Sequence, residues 1–247
     1  MRYDPSYSEH CRLRDGTEVL VRCVHPGDKA LLRDGFARLS PESRYRRFLG
    51  SKASLSDAEL RYLTEVDGDR HFALGAQRLT GGVAGEGLGI ARFVRDAIEP
   101  EIAEAAIAVV DPAHGLGLGT LLLGRLVAAA VERGVRRFRC VVLASNDPML
   151  RLFDALGLDA VTHHDRDLVL LDVPLPATTA DAGAPGAGGG VPAESALSGL
   201  ARLLRLAAEG VLSVRARLAT DDHGPPPAAA EEPAAPSSAA IEDGRDP

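Results

Sequence analysis

Tryptophan is absent from this 247-residue chain, and aromatic residues make up only 4% of it. Binding single-stranded nucleic acid by stacking needs a row of aromatic faces, so that class of function is excluded. Lysine is nearly absent as well: Lys29 and Lys52 are the only two, and arginine carries the rest of the positive charge. The net charge is −7, and no basic stripe offsets it, so nucleic acid is not an expected partner. The three cysteines, Cys11, Cys23 and Cys140, are far apart and form no CxxC pair. Neither a disulfide framework nor a metal site is expected from them. Long apolar runs are missing too. The most apolar stretch, Leu121 to Val131, is broken by Arg125 and is too short to span a bilayer. The first residues, Met1-Arg2-Tyr3-Asp4-Pro5, lack the apolar core of a signal peptide. The expected location is the cytoplasm, with no membrane partner.

Glycine, alanine and proline are plentiful but unevenly placed. Composition changes at Pro176, which divides the chain into four expected parts. Residues 1–176 form a domain. Residues 177–192, rich in Ala, Gly, Pro and Thr, form a flexible linker. Residues 193–219 form an amphipathic helix in which Leu197, Leu200, Leu204, Ala207, Val211, Val214 and Leu218 step by three and four. That stripe suits docking on the chain's own domain, a homodimer, or a helix that forms only with a partner. Residues 220–247 read as a disordered tail. Ten acidic residues and five arginines lie beyond Pro176, which leaves only −2 on the domain. The acidity therefore says little about the substrate.

Within residues 1–176, strand and helix signals alternate in the order β-αα-βββ-α-β-α-ββ. Strands are expected at 18–23, 70–78, 88–95, 103–110, 138–144, 158–164 and 167–174. Helices are expected at 29–39, at 54–66 with Ser54 or Ser56 as cap, at 117–133, and after Asp147 as cap with Pro148 in the first turn. Arg44, Arg46 and Arg47 fall in a loop and read as a solvated cluster. The implied fold class is α/β (α+β), a mixed, mostly antiparallel sheet flanked by helices.

The most informative segment is His114-Gly115-Leu116-Gly117-Leu118-Gly119-Thr120, where an apolar strand runs into a glycine-rich turn that opens a helix. Backbone N–H groups at a helix start lack internal partners. With the helix dipole they form an anion site, and glycine lets a phosphate approach closely. A P-loop would need Gly-Lys-Ser/Thr here, and no lysine is present. A dinucleotide fingerprint needs GxGxxG, whereas glycines 115, 117 and 119 are spaced GxGxG. The next strand also ends Leu143-Ala144-Ser145-Asn146 without the acidic residue that such a fold uses.

His114-x-x-Gly117-x-Gly119 resembles the acetyl-CoA loop of the GNAT superfamily. The run from Ser145-Asn146-Asp147-Pro148 to Phe153-Asp154-Ala155-Leu156-Gly157-Leu158 resembles that superfamily's second motif. Upstream, Ser40-Pro41-Glu42-Ser43-Arg44-Tyr45-Arg46-Arg47-Phe48, Leu63-Thr64-Glu65-Val66-Asp67 and Asp69-Arg70-His71 resemble the acyltransferase domain of bacterial protein lysine acetyltransferases that act on acyl-CoA synthetases. The likeness covers roughly residues 10–175. It implies a GNAT-like sheet, acetyl-CoA as cosubstrate, no metal, an acceptor amine such as a protein lysine or an acyl-CoA synthetase, and acceptor binding near Arg44, Arg46 and Arg47.

Glu104 is the only carboxylate inside an otherwise apolar strand, and it lies ten residues before His114. In the resembling enzymes a Glu at that offset is the general base. Six strand steps of about 3.3 Å place it roughly 20 Å from the loop, a span that a pantetheine arm can cover. The resemblance further implies cofactor contacts from Val109 and Val110, with an N–H near Val109 facing the thioester oxygen. It implies phosphate contacts from His114, Gly115, Leu116, Gly117, Leu118, Gly119 and Thr120, and a pantetheine contact from Asn146. Two departures stand out. His114 replaces the usual Gln or Arg, and Phe153 stands where many members carry a Tyr that can donate a proton. A non-catalytic acyl-CoA sensor and a small-molecule amine acetyltransferase are the alternatives.

Overall fold

A computed structural model describes residues 3–177. The expected linker from residue 178 onward, the 193–219 helix and the tail lie outside the described residues. The elements run β1 (Ser8–Arg12), β2 (Glu18–Cys23), α1 (Lys29–Ala37), α2 (Pro41–Phe48), α3 (Asp57–Thr64), β3 (His71–Thr80), β4 (Val83–Arg95), β5 (Ile102–Val109), α4 (Leu118–Glu132), β6 (Arg137–Leu143), α5 (Asp147–Ala155), β7 (Val161–Asp165) and β8 (Leu168–Pro174). All eight strands form one sheet in the order β1-β2-β3-β4-β5-β6-β8-β7. Every neighbouring pair is antiparallel except β5 with β6.

Two elements were not anticipated. β1 is short and polar and no side chain in it is fully buried, so no alternating apolar signal marks it. It is fixed instead by its hairpin partner β2. α2 has no apolar stripe, which is why Arg44, Arg46 and Arg47 read as loop. It forms because the Ser40 hydroxyl accepts from the Ser43 N–H at 3.1 Å and Pro41 occupies the first turn. The starts of two other helices differ in how they are held. Ser56 and Glu59 make a reciprocal capping box on α3. Asn146, not Asp147, is the residue before α5, and its side chain makes no cap bond.

Strand alternation sends odd and even residues of β5 to opposite faces. α4 packs on β3, β4 and β5 from one side. Its Leu118, Leu122, Leu123 and Leu126 are almost wholly buried, and each such side chain contributes about 1.5–3 kcal/mol. Ala103 and Ala105 of β5 and Phe93 of β4 share that core. The other face carries Glu104, Ala106 and Ala108 of β5 with Ile90 and Arg92 of β4. α1 packs there on β4, and α2 on β5.

Candidate active site

The site begins where β5 and β6 part. Their parallel pairing covers only Ile102 with Arg137, Ala103 with Phe138 and Glu104 with Arg139. Beyond that point β5 continues to Val109 and β6 to Leu143 without pairing to each other. A wedge-shaped gap results, with Glu104 at its apex. The Val110 N–H donates to the Leu88 carbonyl at 2.9 Å. That bond makes Gly89 and Val109 a non-hydrogen-bonded pair, so the N–H and C=O of Val109 face away from β4, into the gap. His114 Nε2 donates to the Val109 carbonyl at 2.9 Å. In this arrangement Nδ1 of the neutral ring is an acceptor, and it can donate to an anion only as imidazolium.

At the wide end of the gap lies the glycine turn. Gly117 caps α4 with φ of 89°, a left-handed conformation that other residues adopt only with strain. A Cβ at Gly119 would stand 3.1 Å from Leu152 Cδ2, so its absence lets the first turn of α4 close on α5. Among the described residues, the N–H groups of Gly115 to Thr120 meet no protein acceptor. Six unengaged donors at the head of a 15-residue helix fit a diphosphate. Arg14, which pattern reading passed over, belongs to the same place. Its N–H donates to the Leu116 carbonyl at 3.2 Å. Its guanidinium lies beside Gly117 and lines a cavity of about 320 Å³ with Thr120, Leu121 and Gly124. Arg12 and Arg125, on the same cavity, are already paired with Glu18 and Glu9. Arg14 makes no ion pair among the described residues.

The other sequence candidates are placed as follows. Val110 and Phe153 are in the core, Phe153 only 1% exposed. Asn146 is half-buried at the head of α5, and its side-chain amide is unengaged among the described residues. Leu116 and Leu118 line the turn from the core side. His163 and His164 are neighbours on β7, which turns their side chains to opposite faces. Among the described residues no group of three metal-ligating side chains comes together, and no helix is long and apolar enough to cross a membrane.

Glu104 reaches solvent, yet protein surrounds enough of it that desolvation raises its carboxyl above the usual range, an effect that the Arg47 charge opposes. The three arginines of α2 have separate fates. Arg46 pairs with Glu42 at 2.6 Å. Arg44 donates to the Ala37 carbonyl at 3.0 Å and lies over the Phe36 ring. Arg47 turns inward toward Glu104. A second inward cation, Arg92, is 4% exposed in the middle of β4. Its Nη1 donates to His71 Nε2 at 2.9 Å and its Nη2 to the Leu63 carbonyl at 3.1 Å. Burial and the Arg92 charge push His71 down to about 4, so the ring is neutral.

A profile of the acetyltransferase (GNAT) family matches residues 40–158. The chain is 36% identical over 165 residues to "Acetyltransferase Pat" of Mycolicibacterium smegmatis, covering 67% of this chain and 48% of that protein. It thus spans about half the length of that relative. It is 34% identical over 145 residues to "Acetyltransferase PA5475" of Pseudomonas aeruginosa, covering 59% of this chain and 77% of that protein. Among solved structures, the GNAT domain of S. lividans PAT superposes with a TM-score of 0.63 at 29% identity, covering 70% of this chain and all of that one. The splayed strands, the glycine turn and these relatives agree: the chain belongs to the GNAT acetyltransferase family.

Proposed function

We propose that this enzyme transfers the acetyl group of acetyl-CoA to a primary amine, with a protein lysine as the acceptor and Glu104 as the general base. The observation that carries this reading is the gap between β5 and β6, with a carboxylate at its apex and six unengaged N–H groups at its mouth. The donor supplies an activated thioester carbonyl. Lysine is mostly protonated near neutral pH, with an ordinary pKa of about 10.4, so the chain must remove a proton. A carboxylate raised by burial is better matched to that task than an ordinary one. Glu104 takes a proton from the ammonium first; the neutral amine then forms the C–N bond as the C–S bond breaks, and the nitrogen releases its second proton to solvent. The Val109 N–H donates to the carbonyl oxygen as it gains charge. Phe153 has no hydroxyl, so the departing thiolate takes its proton from water.

In this reading the N–H groups of Gly115 to Thr120 and the Arg14 guanidinium hold the diphosphate, and the Asn146 amide bonds the pantetheine arm. His114 stiffens the turn through Val109 instead of heading the phosphate contacts. The test is thiol release from acetyl-CoA with purified acyl-CoA synthetases and a panel of amines, on the full chain and on residues 1–176. Acetyl-CoA binding without thiol release on any acceptor would assign the chain to sensing instead.

A further inference from the structure

Base and donor site leave two inward cations without a purpose. Arg47 and Arg92 both line a cavity of about 100 Å³ between α1–α3 and the sheet. Most of its wall is apolar, including Leu31, Phe36, Phe48, Leu63 and Ile90. At one side Arg22 and Asp28 satisfy each other through two bonds of 2.7 and 2.8 Å, and Gln77 accepts from Arg22 Nε at 3.0 Å. That pair needs no visitor. The other two arginines differ. Among the described residues, Arg92 donates only to a neutral ring and a carbonyl. Arg47 stands over the Phe48 ring at 5.1 Å and makes no ion pair among the described residues. Its electrostatic partner is Glu104, too far for a direct bond.

Two like charges in an apolar pocket with no directly bonded anion among the described residues are costly. Burial and the Arg47 charge push Arg92 down to about 9, and burial lowers Arg47 as well. An incoming anion would offset that cost, and the forked guanidinium suits a carboxylate.

Position identifies whose carboxylate it is. In the ladder Arg92 is opposite Ala106, and Val94 is opposite Glu104. Arg92 is therefore the diagonal neighbour of Glu104, about 7–8 Å away and somewhat less between Cβ atoms. The donor gap opens on the β6 side of β5, whereas Arg92 is on the β4 side and Arg47 comes from α2. Glu104 ends the β5–β6 pairing, and its charge acts on Arg47, which lines the cavity. A group that touches the arginines belongs to the molecule approaching the base.

We propose that Arg47 and Arg92 form a receptor for a carboxylate carried by the acceptor close to its nucleophilic amine. The proposal rests on the acetyl-transfer reading with Glu104 as base. Such a carboxylate has two sources: the α-carboxylate of a free amino acid, or an Asp or Glu side chain beside the target lysine of a protein.

The test uses the full chain, acetyl-CoA and thiol release, with two matched acceptor series. One compares free amino acids with their carboxamides. The other compares lysine peptides carrying a neighbouring Asp or Glu with the same peptides carrying Asn or Gln. The expected result is a preference for the carboxylate in one series of roughly 10–100-fold in kcat/KM, the scale of a lost charge-assisted hydrogen bond, expressed mainly in KM. The series that shows it identifies the source. Arg92 also holds His71 and Leu63, so Arg47 is the primary variant. Arg47→Gln should bring the carboxylate-to-carboxamide ratio near one, and Arg47→Lys should restore part of it. Equal rates for carboxylate and carboxamide in both series of the unaltered protein would overturn the proposal, as would a preference that survives Arg47→Gln. Preferential use of malonyl-CoA or succinyl-CoA, lost in Arg47→Gln, would move the arginines to the donor's acyl group and overturn it too. No thiol release with any acceptor, despite acetyl-CoA raising Tm, overturns the acetyl-transfer reading and this assignment together.

Discussion

Asp111 and Ser40 are joined twice, although 71 residues separate them. The Asp111 carboxylate accepts from the Ser40 N–H at 2.8 Å and from the Ser40 hydroxyl at 2.7 Å. It also accepts from the Ser43 hydroxyl at 2.9 Å. Asp111 lies two residues beyond the end of the strand that carries Glu104, and Ser40 caps the helix that carries Arg47. Ser43 and Arg47 are one turn apart on that helix. The clamp therefore sets the distance between base and cation.

Asp111→Ala removes all three bonds. The variant should lose about 2–3 kcal/mol of stability, measured by urea unfolding near neutral pH. Its KM for the acceptor should rise by more than its KM for acetyl-CoA, because α2 is freed while the glycine turn stays anchored through Arg14 and Leu116. Burial alone would raise Asp111, but the bonds from Ser40 and Ser43 prevail and hold it below the ordinary carboxylate range. This contribution is present above the unfolded pKa and is lost as pH falls through the folded one. Equal changes in both KM values would count against the clamp as a positioning device.

Glu104→Gln should lower kcat about 10²–10⁴-fold while leaving acetyl-CoA binding intact. The unaltered enzyme should also gain activity with pH through a midpoint above the ordinary carboxylate range, since burial raises Glu104. The Arg47 charge opposes that rise, so Arg47→Gln should move the midpoint to higher pH. A midpoint that stays in place when Arg47 is removed would separate the observed ionisation from Glu104.

Much of the site was legible because glycine spacing and a lone carboxylate in an apolar strand are both local signals. Glu104 stood out as a charge where only apolar residues were expected. Arg92 carries the same signal, an arginine inside the run from Leu88 to Val94, and the same reasoning applied to cations would have found it. Arg47 could not be found that way. Its neighbours Arg44 and Arg46 are also arginines, and which of the three turns inward depends on how α2 packs, which its bonds to Asp111 help to fix. α2 was illegible for a related reason: it is held by a cap and a distant carboxylate, not by an apolar stripe. The splay of β5 from β6 depends on pairing, which no periodicity reports.

Gly117→Glu should abolish the rise in Tm that acetyl-CoA gives the unaltered protein. The substitution adds a Cβ at a φ of 89° and projects it toward Arg14, whose Nε would be 3.4 Å away. The new carboxylate would capture that guanidinium and repel a phosphate at the same helix end. Gly117→Ala is the control. It should cost about 1 kcal/mol of stability from the left-handed backbone and retain part of the shift. A full shift in the Glu variant, with the fold intact by circular dichroism, would place the cofactor elsewhere.

The bond from Arg92 to His71 predicts a pH window for stability. In the folded protein His71 titrates at about 4, against an ordinary value of 6.5, because burial and the adjacent guanidinium disfavour the charged ring. Above 6.5 the ring is neutral in both states and the shift has no effect. Between 6.5 and 4 the unfolded chain binds a proton that the folded one refuses, so stability falls as pH falls, by up to about 3 kcal/mol. Carboxylates held low by their partners add their own losses, but chiefly at lower pH, as with Glu9, held at about 2 by its bonds from Arg125, whereas Glu104, raised by burial, changes stability in the opposite direction. His71→Gln keeps an oxygen that can accept from Arg92 and removes the titration. Urea unfolding at intervals from pH 7 to pH 4.5 should therefore give a shallower fall for the variant than for the unaltered protein. Parallel curves would mean that His71 is protonated in the fold, and the neutral acceptor that steadies Arg92 would have to be abandoned.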